Sequence, residues 1–177
     1  MGDTVNTIEL IKRKFEEWDV PMGDFFQSDD ITKNMARFAD YLGDEHADDF
    51  VKGLLWMMEN NFSHLGVVYE FYEIYTQKYS SAIATALMRH ITPESPPLLV
   101  EILGSTNEAQ AIDFLANTID LATAGETLLI ACISAIGELG GDKAVALLQN
   151  ISQMRGNNIS AEAMEELEIA ILNNKNA

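Results

Sequence analysis

The chain has few cations and a single cysteine, and both shortages narrow what the protein can do. Its 177 residues include 11 Lys and Arg against 28 Asp and Glu, for a formal net charge of −17. Nucleic acids and anionic membranes are bound through clustered Lys and Arg, so we expect direct binding to neither. With Cys132 as the one cysteine, no intramolecular disulfide can form, which is typical of a reducing compartment.

Long apolar runs and a secretory signal are also missing from the sequence. No apolar stretch reaches the roughly 18 residues that a membrane-spanning helix needs. The first residues, Met1–Thr7, are polar and acidic, unlike a signal peptide. We therefore expect a cytoplasmic protein that makes no membrane contact.

What the sequence does contain is an internal repeat. The segment Val100–Asn117 aligns without a gap on Ile133–Asn150, at an offset of 33 residues. Gly104 coincides with Gly137, and most of the apolar positions around them coincide as well. Each copy has the pattern of a helix end, a tight turn and a new helix. Periods of about 20 to 50 residues are typical of stacked repeats, in which neighbouring helix pairs share one core.

Apolar residues recur at helical spacing along nearly the whole chain, with no convincing strand. We predict an all-α protein of about ten helices, folded as a HEAT-like α-solenoid of antiparallel helix pairs. It is expected to form a single domain over residues 1–177, with an irregular amino-terminal cap over about 1–62 and the clearest repeats over 98–154. The predicted helices run from about Thr4 to Trp18, Asp29 or Asp30 to Leu42, Ala47 to Asn60, Ser63 to Tyr75, Ser81 to Ile91, Leu98 to Leu103, Thr106 to Leu121, Glu126 to Leu139, from a turn at Gly140–Asp142 to Met154, and onward from a cap at Ser160.

Residues that could carry catalysis are scattered. His46, His64 and His90 have no metal-ligand spacing. Cys132 lies in an apolar stretch, so we expect a buried thiol rather than a nucleophile. Gly140 and the glycine after it lack the lysine–serine pair of a phosphate loop and predict a turn. We therefore expect neither an enzyme nor a bound cofactor.

The segment Asp44–Asp49 is the strongest candidate for a metal site, because it holds four carboxylates and a histidine. A calcium loop needs glycine at its sixth place, where this segment has Asp49. Acidic residues are also common at the start of a helix, where the helix dipole stabilises them. We therefore interpret the segment as the start of a helix and expect no metal.

Acids and large aromatics lie together on the predicted third and fourth helices. Such mixtures are typical of an interface with a basic partner, because aromatics are enriched there and acids can pair with cations. A core position is an equally good interpretation for each aromatic. The residues concerned are Trp56, Glu59, Tyr69, Glu70, Tyr72, Glu73 and Tyr75.

Four consecutive segments between Phe50 and Leu103 carry a family resemblance. They are Val51–Glu59, a tyrosine-rich helix, Ala84–Ile91 and Leu98–Leu103. Their order resembles a HEAT-like family of bacterial immunity proteins from polymorphic toxin and contact-dependent growth inhibition systems. Glu59 and Arg89 match a His-x-x-Glu-like element and a helix-end arginine of that family, and Trp56 stands in place of its histidine.

The resemblance implies a protein that binds a cognate toxin domain and blocks its active site or substrate path. Many such toxins are nucleases with basic substrate surfaces, to which opposite charge would steer an acidic inhibitor. The segment from His90 to Asp142 suits this role, because it contains eight acids and no Lys or Arg. The acids expected to contact the toxin are Glu59, Glu70, Glu73, Glu101 and Asp113.

Two other functional classes remain open. A HEAT-repeat scaffold or adaptor without a toxin partner would have the same repeats and the same charge. A HEAT-like enzyme would need a tetrapyrrole site, as in a bilin lyase, or a basic groove, as in a DNA glycosylase. The chain has few cations with which to build such a groove. The immunity protein is the interpretation that accounts for repeat, charge and resemblance together.

Overall fold

All regular structure in the described part of the chain is helical, which confirms the all-α prediction. The computed structural model describes residues 36, 39–40, 43–59, 65–156 and 158–175. The first predicted helix and most of the second lie outside these ranges, so the number of about ten helices stays a prediction. The chain forms two compact units, Met1–Ala86 and Leu87–Ala177. The extent of the predicted cap stays a prediction too.

Seven helices have defined bounds within the described ranges. They are α1 (Ala47–Glu59), α2 (Leu65–His90), α3 (Pro97–Gly104), α4 (Gln110–Thr118), α5 (Glu126–Leu139), α6 (Gly141–Arg155) and α7 (Ala161–Lys175). The predicted bounds of α5 agree with the structure, and the bounds of α3 and the end of α6 agree to within about one residue. Helix α6 begins at Gly141, within the segment predicted as a turn. None of the described helices combines the length and apolar content needed to cross a membrane.

Two predicted helices are joined in α2, which is kinked. At Tyr79 the backbone leaves helical geometry, with φ −131° and ψ 42°. The kink falls between the helices predicted to end near Tyr75 and to begin at Ser81. Ser80 and Ser81 follow the kink directly, and small polar pairs of this kind are among the usual sites of helix kinks.

Helix α4 is shorter than the predicted span from Thr106 to Leu121. Asn107 has a positive φ of 57°, so the backbone is not helical there. Beyond the helix, the Asp120 carboxylate accepts hydrogen bonds from Ala122 N at 3.1 Å and Thr123 Oγ1 at 2.7 Å. These side-chain bonds stabilise a turn that competes with helix extension.

Aromatic side chains pack between α1 and α2 in the described part of the first unit. The ring of Phe50 stacks on Tyr72 with centroids 6.1 Å apart and meets Tyr75 edge-on at 5.4 Å. Tyr75 is fully buried, and its hydroxyl donates to the Gly43 carbonyl at 2.5 Å. Burial, and then the charge of Asp44, raises the pKa of the Tyr75 phenol, so it remains a hydrogen-bond donor at neutral pH.

The helices of the second unit pack in two layers. Helix α5 lies between α3 and α7 in one layer, while α4 and α6 form the other and pack on α5. Helix α6 also packs on α7. The core between the helices is aliphatic and includes Leu99, Leu103, Leu115, Ile133, Ile136, Leu148 and Ile151.

Small residues allow the helices of the first layer to approach closely. A Cβ added at Gly104 would lie 2.6 Å from Ala135 Cα, and one added at Gly137 would lie 2.9 Å from Ala170 Cβ. Neither position can hold a side chain unless its neighbour moves. These are the two glycines that the repeat alignment superimposes, and each faces the next helix of the layer.

Asn174 joins α7 to the end of α5 and the start of α6. Its Nδ2 donates to the carbonyls of Gly137 at 2.8 Å and Ala170 at 2.9 Å, and its Oδ1 accepts from Gly141 N at 3.1 Å. Gly137 thus meets Ala170, and Gly141 meets Asn174, each at a separation of 33 residues. Because the separation is constant, α5 and α7 run in the same direction.

Two turns of the second unit were predicted correctly. Gly140 and Gly141 have positive φ values of 70° and 83°, a conformation that glycine adopts without strain. Before α7, the hydroxyl oxygen of Ser160 accepts a hydrogen bond from Ala163 N at 3.1 Å, which makes Ser160 an N-cap.

Candidate partner-binding surface

Three neighbouring helices of the second unit, α3, α5 and α7, each contribute one carboxylate to the same part of the surface. Glu101 of α3 and Glu138 of α5 are exposed, and Glu166 of α7 is partly exposed. Partial desolvation, and then the charges of Glu101 and Glu166, raises the pKa of Glu138 above its ordinary value. None of the three forms an ion pair with a Lys or Arg in the described ranges. We call Glu101, Glu138 and Glu166 the acidic ridge.

The local sequence explains why these carboxylates face outward. Glu101 is the one exposed residue of α3 between Leu99 and Gly104, where all the others are buried. Glu138 directly follows Gly137, and successive helical residues lie about 100° apart around the axis. Since Gly137 faces α7, the next side chain points away from that contact. The same helices therefore supply both the packing contacts and the acidic surface.

Asp113, unlike the three acidic-ridge residues, forms an ion pair. Its Oδ2 lies 2.6 Å from Nζ of Lys143, which joins α4 to α6 in the second layer. Both side chains are exposed, so this ion pair contributes little stability. A partner that contacts Asp113 would have to compete with Lys143, whereas the acidic ridge has no such competitor among the described residues.

The predicted contact residues of the first unit are only partly described. Glu73 is exposed. Tyr72 is 1% exposed and stacks on Phe50, so its ring belongs to the core and is not available to a partner. The side chains of Glu59, Tyr69 and Glu70 lie outside the description.

Arg155 fixes the loop between α4 and α5. Its Nε donates to the Leu121 carbonyl and its Nη2 to the Ala124 carbonyl, both at 2.7 Å. In the same loop, hydrogen bonds from Thr123 and Ala122 lower the pKa of Asp120. Arg155 therefore serves the fold rather than offsetting the acidic ridge.

Neither a metal-binding cluster nor a reactive cysteine is present among the described residues. There is no cluster of three His, Cys, Asp or Glu side chains placed to hold a metal within those ranges. Cys132 is fully buried, and burial raises the pKa of its thiol to about 12. The thiol is therefore protonated at neutral pH and does not act as a nucleophile.

The acidic segment before α1 makes local contacts. His46 Nδ1 lies 3.4 Å from Asp49 Oδ2. Lys52 Nζ lies 2.9 Å from Asp48 Oδ2 and 3.7 Å from Asp49 Oδ1. Asp48 and Asp49 occupy the first turn of α1, where the helix dipole stabilises negative charge.

Comparison with known proteins found no match. No family model matches the chain, and neither does a curated protein or a solved structure.

Two of the three acidic-ridge residues were not among the predicted contacts. A signal for Glu138 exists, because it directly follows the glycine that the repeat alignment pairs with Gly104. Glu166 has no comparable signal, since the last helix does not align residue by residue with the repeat. The position of Glu166 near Glu138 depends on the packing of α7 on α5, which the sequence pattern does not specify.

Proposed function

We propose that this protein is an immunity protein that binds a basic toxin domain through the acidic ridge and neutralises it in the cytoplasm. The observation that supports this most is the convergence of Glu101, Glu138 and Glu166 from three neighbouring helices. Partial desolvation and the charges of Glu101 and Glu166 disfavour the ionised form of Glu138, and the three carboxylates lack paired cations among the described residues. A cationic partner surface would relieve that repulsion.

The proposal includes the HEAT-like solenoid. Its support is the spacing of the contacts between successive helices of the first layer: Gly104 meets Ala135 at a separation of 31 residues, and Gly137 meets Ala170 at a separation of 33. Similar separations are expected when equivalent helices of successive repeats stack in parallel. In stacked repeats, side chains from several helices lie on one continuous surface. The three carboxylates of the acidic ridge, which come from three helices, fit this arrangement.

Two physical effects would follow on binding. Opposite charge would speed the encounter at low salt, because the long-range attraction is screened as ionic strength rises. Lys or Arg placed beside Glu138 would lower its pKa towards the ordinary value. Complex formation would then release protons at mildly acidic pH.

Co-expression with the polypeptide encoded immediately upstream would test the proposal. We expect that polypeptide to stop growth alone, and this protein to restore growth and co-purify with it. The variant with Glu101→Gln, Glu138→Gln and Glu166→Gln should associate more slowly and with weaker salt dependence. The control with Glu94→Gln, Glu126→Gln and Asp142→Asn loses equal charge from exposed positions outside the ridge.

Two outcomes would overturn the proposal: an upstream polypeptide without toxicity, and toxicity without rescue or binding. Stable binding to a non-toxic basic protein would favour the adaptor instead. Equal effects of the two triple variants would show that total charge, rather than the acidic ridge, drives association.

A further inference from the structure

Helix α7 exposes two large apolar side chains next to the acidic ridge. Ile169 is 46% exposed and Leu172 is 60% exposed. They are three residues apart, so they are neighbours on one side of the helix. The buried residues of α7, among them Ala163, Leu167 and Ala170, lie on the other side. Both apolar side chains are therefore exposed on the side of α7 opposite these buried residues.

Carboxylates surround this pair. Glu166 of the acidic ridge precedes Ile169 by three residues, and Glu165 precedes it by four, so both adjoin Ile169. Glu168 precedes Leu172 by four and adjoins it in the same way. An apolar centre within a charged rim is the usual arrangement of a protein-binding surface.

The acidic ridge extends this surface across the layer. Packed helices lie about 8–10 Å apart, so the three ridge carboxylates span roughly 20 Å from α3 to α7. At the α7 end, Glu166 joins the ridge to Ile169. A partner that covers the whole surface needs an apolar contact at one end and basic side chains over the remaining length.

A second copy of this chain fits the surface poorly. In a symmetric dimer the same patch meets itself, so Glu165 and Glu166 would face like charges. Each chain also carries a net charge of −17. A basic protein satisfies both the apolar centre and its rim.

We propose that Ile169 and Leu172 are the apolar anchor on which a basic protein partner docks, with the acidic ridge pairing with its cations. This inference rests on the proposed function, because the partner is the same basic toxin domain. Buried apolar anchors determine how slowly a complex dissociates, whereas surrounding charges mainly set the association rate. Separate variants therefore address the two parts of the surface.

The test measures binding of the purified upstream polypeptide to the variant Ile169→Ser/Leu172→Ser. We expect Kd to rise at least about tenfold through faster dissociation, with a salt-dependent association rate like that of wild type. Met154→Ser on α6 is the control, because Met154 is 46% exposed, as Ile169 is. It should change Kd by less than about twofold. Thermal unfolding checks that all variants fold.

Failure of the anchor and failure of the proposed function give different results. If wild type binds the upstream polypeptide and Ile169→Ser/Leu172→Ser binds equally well, the anchor is wrong and the function stands. If wild type does not bind the upstream polypeptide, the proposed function is wrong. The anchor is then tested separately, by measuring binding of a synthetic helical peptide that carries leucines three residues apart between lysines. Binding of this peptide that Ile169→Ser/Leu172→Ser abolishes would support the anchor. Absent or unaffected binding would overturn it, as would wild-type self-association that the variant loses in sedimentation.

Discussion

Gly137 and Ala170 face each other so closely that a Cβ on Gly137 would lie 2.9 Å from Ala170 Cβ. In Gly137→Ala, overpacking should lower the free energy of unfolding by about 1–3 kcal/mol. The higher helix propensity of alanine should offset about 1 kcal/mol of that loss. The exchanged pair Gly137→Ala/Ala170→Gly should recover most of the overpacking loss, because the methyl group then projects from the other helix. Urea unfolding of the single and double variants measures this coupling.

The equivalent contact at Gly104 should respond differently. The nearest atom to a Cβ at Gly104 is Ala135 Cα, at 2.6 Å. Removing the Ala135 methyl group leaves that backbone atom in place, so Ala135→Gly should not restore Gly104→Ala. Rescue at both sites, or at neither, would contradict this account of the helix contacts.

Asn174 should contribute more to stability than its neighbour Asn173. Asn174→Ala removes the bonds to the Gly137 carbonyl and Gly141 N, and we expect a loss of about 1–3 kcal/mol in unfolding free energy. Asn173→Ala changes an exposed side chain of the same helix and should remain within about 0.5 kcal/mol of wild type. Hydrogen exchange gives a local test: the Gly141 amide should exchange faster in Asn174→Ala alone.

Ionisation of Glu138 should make the folded protein less stable as pH rises. Its pKa is raised in the folded protein, so the ionised carboxylate opposes folding. This unfavourable contribution is present at neutral pH and disappears as pH falls below the unfolded-state pKa, about 4.3. Glu138→Gln should therefore stabilise the protein at pH 7 by no more than about 0.5 kcal/mol, because solvent screens an exposed group. The gain should shrink towards pH 4.

Urea unfolding across this pH range measures the effect, and Glu94→Gln is its charge-matched control. High salt should reduce the gain from Glu138→Gln, because the repulsion from Glu101 and Glu166 is screened. An equal gain from Glu94→Gln would mean that total negative charge, and not the acidic ridge, is responsible.

Cys132 should be unreactive until the protein unfolds. The thiol is fully buried and its pKa is raised to about 12, so both thiolate formation and access are suppressed. Alkylation by iodoacetamide at pH 8 should be at least about a hundredfold slower in the native protein than in urea. Mass spectrometry gives both rates. Rapid alkylation of folded protein would show that the thiol is reached without global unfolding.

The helix ends that the sequence predicted best are those defined by residues with a distinct backbone preference, such as glycine. Helix α5 was predicted correctly at both ends because Gly125 and Gly140 bracket a largely apolar segment. The prediction for α4 ran too far because the helix ends at Thr118 and side-chain hydrogen bonds of Asp120 stabilise a turn beyond it, which apolar spacing does not report. The kink at Tyr79 was predicted only as a gap between two helices.

The candidate surface was harder to predict, because it depends on which helices become neighbours. Periodicity places Tyr69, Tyr72 and Tyr75 on related faces but does not say which face is buried. The structure buries Tyr72 and Tyr75. Glu101 was among the acids that the family resemblance implied as contacts, whereas Glu138 and Glu166 were not, because their position beside Glu101 depends on the packing of α3, α5 and α7.

Gly137 and Glu138 are consecutive in the chain but experience different constraints. At Gly137, any added carbon disturbs the approach of α7, so little variation can be accepted there. At Glu138 the side chain is exposed, and many replacements would leave folding intact. Substitution at exposed positions can therefore change the charge and shape of this surface one residue at a time while the helix packing stays unchanged.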